Sequence, residues 1–99
     1  MAVTTPPPPS RRRDLRFLTD PARWALWPFL PVVRRRPGGG TDYGVLFDAE
    51  AVCRRSGYRC TVFRTNVFLL PRQLDQFFAL PREVFDTFDE LVAAGWHVD

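Results

Sequence analysis

Proline decides where secondary structure can stop in this chain. Four of its ten prolines form a run at positions 6 to 9, and the other six stand singly at 21, 28, 31, 37, 71 and 81. Proline lacks an N–H and fixes its own φ, so each single one belongs at a first helical position, a sheet edge or a turn. Glycines at 38 to 40, 57 and 95 add further breaks. Only short elements fit between these points. The chain has 99 residues, which is one domain at most, and a domain of that size buries about 60–65% of the surface exposed by its unfolded form.

The first thirteen residues, MAVTTPPPPSRRR, carry no apolar periodicity, and the proline run favours an extended polyproline II spacer. Residues 1–14 are therefore expected to be a disordered Pro/Arg-rich tail ahead of one compact α+β domain over residues 15–99. Asp20 before Pro21 is a helix-start signal, with Ala22 to Trp27 as one or two turns ended by Pro28. Phe29 to Arg35 reads as a strand, placed at a sheet edge by Pro31. PGGGTD is a turn, and YGVLFD returns as a second strand to complete a hairpin.

Residues 48–57 support two readings: a short helix capped by Asp48, or a long hairpin turning at Ser56 and Gly57. YRCTVFRTNVFLL is the clearest strand and is expected at the centre of the sheet. Leu74, Phe77 and Phe78 are spaced for one helix face that lies on the sheet. Thr87 and Glu90 have capping-box spacing, Phe88, Leu91 and Val92 face inward, and Gly95 ends that helix. The last residues then return as a strand with Trp96 and Val98 buried, forming a strand–helix–strand unit. A largely antiparallel sheet with two or three short helices follows.

Nine Phe, three Trp and two Tyr make aromatic rings the main filling of so small a core. All fourteen basic residues are arginine. Residues 1–64 hold twelve of them against five carboxylates, a balance of +7, and residues 65–99 hold two against six, a balance of −4. A basic end attracts phosphates, acidic surfaces or anionic lipid heads, and the two halves can equally neutralise one another.

Cys53 and Cys60 are too few for a disulfide framework, which favours a reducing, cytoplasmic setting. With His97 they reach at most a Cys2His set and lack the close spacing of zinc ligands, so small buried apolar groups are the expectation. The carboxylates Glu83, Asp86, Asp89, Glu90 and Asp99 come without a nucleophile or oxyanion donor. PGGGTDYG lacks the residues that complete a P-loop or a dinucleotide turn. The apolar run WALWPFLPVV is about half the length of a membrane span, contains two prolines and has no cleavage site after it, so neither a span nor a secretory leader is expected.

No cofactor, metal or catalytic set is therefore expected. The expected role is a non-catalytic protein-interaction or accessory module, with Trp24 and Trp27 as candidate partner contacts. The alternative is binding to a nucleic-acid backbone through Arg11, Arg12, Arg13, Arg34, Arg35 and Arg36, whose guanidinium groups suit phosphate. A third reading, a small enzyme acting through Cys53, Cys60 or His97, requires an accessible thiol of low pKa.

Overall fold

A computed structural model describes residues 9–99, with side chains from Arg11 onward. Five antiparallel strands form one sheet: β1 (Phe29–Arg35), β2 (Thr41–Phe47), β3 (Thr61–Phe63), β4 (Arg82–Val84) and β5 (His97–Val98). Their order across the sheet is β4-β3-β2-β1-β5. Four short helices accompany them: α1 (Pro9–Thr19), α2 (Ala49–Cys53), α3 (Leu74–Phe78) and α4 (Phe88–Ala93). Single 3-10 turns cover Pro21–Arg23 and Val67–Leu69. The α+β class and the antiparallel sheet agree with the sequence.

The hairpin of β1 and β2 sets the register of the molecule. Leu30 faces Leu46, Val32 faces Gly44, and Arg34 faces Asp42, whereas Phe29 faces Phe47 and Pro31 faces Val45. Successive side chains in a strand point to opposite faces, so the two sets form two separate cores. On the first face Leu30, Val32, Leu46 and Val62 pack with Trp96 and Leu91 under α1 and α4. On the second, Val45, Phe47 and Phe63 pack with Phe77 and Phe78 of α3. Ring centroids there lie 4.4 Å apart for Phe63 and Phe77 and 5.2 Å apart for Phe47 and Phe77. Such offset and edge contacts add about 0.5–1.5 kcal/mol per pair beyond area burial.

Trp96 is fully buried and stands over Gly44. A methyl group on Gly44 would overlap Val62 Cγ1 and come within 3.3 Å of Trp96 Cη2. Glycine in this strand is required by the close approach of two side chains.

Four expectations are corrected. A disordered tail does not extend through residue 14: Pro9 already opens α1, Asp14 is 3% exposed and Leu18 is in the core. Proline is compatible with a first helical turn, and Leu15 and Leu18 supply an apolar face that the proline and arginine run obscured. Residues 1–8, the rest of that tail, lie outside the described residues. With α1 there are four helices instead of two or three. Pro31 does not put β1 at the edge, because β5 pairs beyond it at Val32 and Val33. The Pro31 carbonyl accepts from Asp99 N, so the side of Pro31 that lacks an N–H faces Asp99, just past the end of β5 at Val98.

β3 is the second strand across and has only three residues. After Phe63 the chain turns away, and Asn66 Oδ1 accepts from Phe68 N at 3.0 Å to start the second 3-10 turn. That turn leaves Phe68 87% and Leu69 76% exposed, where a strand would have buried one of them. Of the two readings for residues 48–57 the helix holds, ending at Arg54 in the left-handed conformation (φ 56°).

The C-terminal unit is β4–α4–β5 as read. Thr87 Oγ1 accepts from Glu90 N at 3.1 Å, and Glu90 Oε2 accepts from Asp86 N at 3.1 Å. Beyond β5, Asp14 of α1 accepts from Val98 N at 3.2 Å and meets His97 Nδ1 at 3.0 Å. A carboxylate of α1 thereby closes the free edge of β5.

Candidate functional site

The sequence offered two kinds of candidate residue, aromatic and basic, and the fold separates the members of each. Trp24 is 7% exposed, and its Nε1–H donates to Phe17 O at 2.6 Å. It closes the first core. Trp27, three residues on, is 50% exposed. Its Nε1–H donates to Asp48 Oδ2 at 2.9 Å, and Asp48 N donates to Pro28 O at 2.9 Å. Asp48 stands at the start of α2 but makes no side-chain cap there; its carboxylate holds the indole instead. Leu26 and Val52 are also about half exposed, the latter one helical turn beyond Asp48.

A cavity of about 230 Å³ lies beside this joint, where β2 ends and the two cores meet. Leu18, Trp24, Phe47 and Phe88 form its apolar floor. Asp48 and Glu50 line one part of the wall, and the stretch Arg55 to Arg59 lines the rest. Gly57 within that stretch has φ +89°, a conformation that disfavours any residue with a side chain. The guanidinium of Arg55 sits 4.5 Å over the Phe78 ring and that of Arg59 5.6 Å over Phe88. Both arginines are exposed. Of the expected site residues only Trp24 lines the cavity, and Trp27 flanks it through Asp48. Arg55 and Arg59 are not among the residues expected from sequence, because no local signal there places them on a concave surface.

The basic candidates do not gather on one face. Strand alternation puts Arg34 on the first face of the sheet and Arg35, opposite Thr41, on the second. Arg34 is saturated: Nε and Nη2 donate to Asp42 at 3.2 and 3.1 Å, and Nη1 and Nη2 donate to Glu83 at 2.8 and 2.9 Å. Its guanidinium also lies 4.5 Å over the Trp96 ring. The hydrogen bond to Glu83 raises the Arg34 pKa, burial opposes that, and Asp42 adds to the rise. Arg36 and Arg64 pair with the same Asp42 at 3.2 and 3.3 Å. This network fastens the hairpin end to β4. Arg11 donates to Asp89 O at 3.4 Å, while Arg12 and Arg13 are exposed on α1.

Cys53 and Cys60 are both free and half-buried. Cys53 Sγ lies 3.2 Å from Ala49 O. Burial pushes the Cys60 thiol up; Arg59 opposes this, and Asp86 and Glu90 reinforce it. A raised thiol carries less thiolate at neutral pH, the reverse of what a nucleophile needs. His97 faces Asp14 and is part of neither the cavity nor a cysteine pair. Among the described residues no group of three or more metal-ligating side chains is found, and no helix is long and apolar enough to cross a membrane.

No family model matches the chain, and neither does any curated protein or solved structure.

Proposed function

We propose that the protein is a non-catalytic interaction module that engages a partner protein with Trp27 and the cavity beside it. One observation carries this reading. An indole that is half exposed is nevertheless fixed in orientation by a hydrogen bond to Asp48. A large ring held before binding loses little conformational freedom on association, which is why tryptophans dominate many interfaces. Concavity next to the ring gives a partner side chain somewhere to go. Phe68 and Leu69 are more exposed, yet neither side chain carries a polar group that a hydrogen bond could fix. The experiment is a comparison of the proteins retained by wild-type chain and by Trp27→Ala, after nuclease treatment and with folding confirmed by circular dichroism.

A second reading, nucleic-acid backbone binding, has one observation in its favour. Arg12, Arg13 and Arg16 are exposed on α1 and form no ion pair among the described residues. It requires affinity for duplex DNA or RNA that falls steeply with salt. Neutralising these three residues would then flatten the salt dependence.

A further inference from the structure

The chemistry of the cavity points to a particular kind of partner. Ligand pockets for drug-sized molecules run to about 300–1,000 Å³, so about 230 Å³ suits a single residue. The floor of Leu18, Trp24 and Phe47 suits an apolar side chain. Beside it, Arg55 and Arg59 supply the forked donors that suit a carboxylate. Between those arginines, the backbone amides of Ser56, Gly57 and Tyr58 donate no hydrogen bond among the described residues. Consecutive amides of this kind are used elsewhere to capture terminal carboxylates. Asp48 and Glu50 on the same wall oppose a dianionic phosphate or a nucleotide, but they favour a peptide with a basic residue close behind its carboxylate.

We propose that the cavity captures the free C-terminal residue of a partner protein, with the terminal side chain on Trp24 and Leu18 and the α-carboxylate on the stretch from Arg55 to Arg59. This rests on the interaction reading and names the partner's recognition element: a large aliphatic or aromatic last residue with a free carboxylate, preceded by lysine or arginine.

The test uses the full chain and calorimetric titration with an acetylated peptide ending in lysine and leucine. Saturable binding of the free acid is expected, with at least about tenfold weaker binding of the same peptide as its C-terminal amide. A peptide ending in glycine should be weakened comparably. The double variant Arg55→Gln/Arg59→Gln, checked for folding by circular dichroism, should also lose about tenfold. Equal affinity for acid and amide, or no binding of either at about 1 mM, would overturn the proposal. Free L-leucine binding as tightly as the peptide would overturn it in favour of an amino-acid site. Should the double variant fail to fold, the acid and amide comparison on wild-type protein decides alone. If the peptide does not bind while partner capture still depends on Trp27, C-terminal recognition fails and the interaction reading survives.

Discussion

The Trp27 indole N–H and the Asp48 carboxylate meet at 2.9 Å, joining the turn before β1 to the start of α2 with the ring left half exposed. This bond fixes a surface group and supports no core. Trp27→Ala is therefore expected to cost about 1 kcal/mol or less, the scale of one exposed hydrogen bond. Trp24→Ala, three residues away, empties a buried site and should cost about 3–5 kcal/mol. Urea unfolding of the two variants measures the contrast; similar costs would remove the distinction between core and surface tryptophan.

Asp42 serves Arg34, Arg36 and Arg64 and is 8% exposed, whereas Glu83 serves Arg34 and Arg64 alone among the described residues. Asp42→Asn should accordingly destabilise more than Glu83→Gln, by about 2–3 against about 1 kcal/mol. The half-exposed arginines keep both figures below those of a fully buried pair. Equilibrium unfolding at low and high salt checks the order and the expected narrowing of the gap with added salt.

Gly44→Ala should cost about 1–3 kcal/mol, because the new methyl group must displace Val62 beneath Trp96. A change in near-ultraviolet circular dichroism should accompany it as Trp96 shifts. An unchanged melting temperature would contradict this packing.

Cys60 should alkylate slowly at pH 7, and its labelling should rise at a higher pH than a free thiol's, because burial favours the protonated form. The linked stability follows in sign. It is fully present below the ordinary thiol range and fades as pH rises through the folded value. Mass-spectrometric labelling against pH gives the profile, and fast labelling at pH 7 would restore the cysteine-nucleophile reading.

How much of this was legible in the sequence depended on whether a signal was local. Thr87 with Glu90, Gly95 and the hairpin glycines act within a turn of themselves, and the elements they bound were read correctly. α1 was missed because most of its partners, in α4 and β5, are remote in sequence, and its first residues look like a spacer by composition. YRCTVFRTNVFLL carried a strand's composition, but Asn66 bonds to its own backbone two residues on and ends the strand early. The candidate residues divided for a similar reason. Consecutive arginines look like one patch on paper, while β pairing sends Arg34 to Asp42 and Arg35 to the opposite face. Separating Trp24 from Trp27 required knowing which of them the Asp48 carboxylate reaches.

Phe68→Ser/Leu69→Ser should leave stability within about 0.5 kcal/mol of wild type, as both side chains stand in solvent. Thermal unfolding checks this, and the double variant is a control for loss of exposed apolar surface in general.

Capture of partner proteins by four immobilised chains tests the interaction reading most directly: wild type, Trp27→Phe, Trp27→Ala and the Phe68→Ser/Leu69→Ser double variant. Each is quantified by mass spectrometry after nuclease treatment. A set of proteins retained by wild type, reduced in part by Trp27→Phe, at least about fivefold by Trp27→Ala and not by the double variant is the expected result. Identical retention by wild type and a folded Trp27→Ala, or loss with the double variant alone, would contradict the assignment of Trp27 as the anchor.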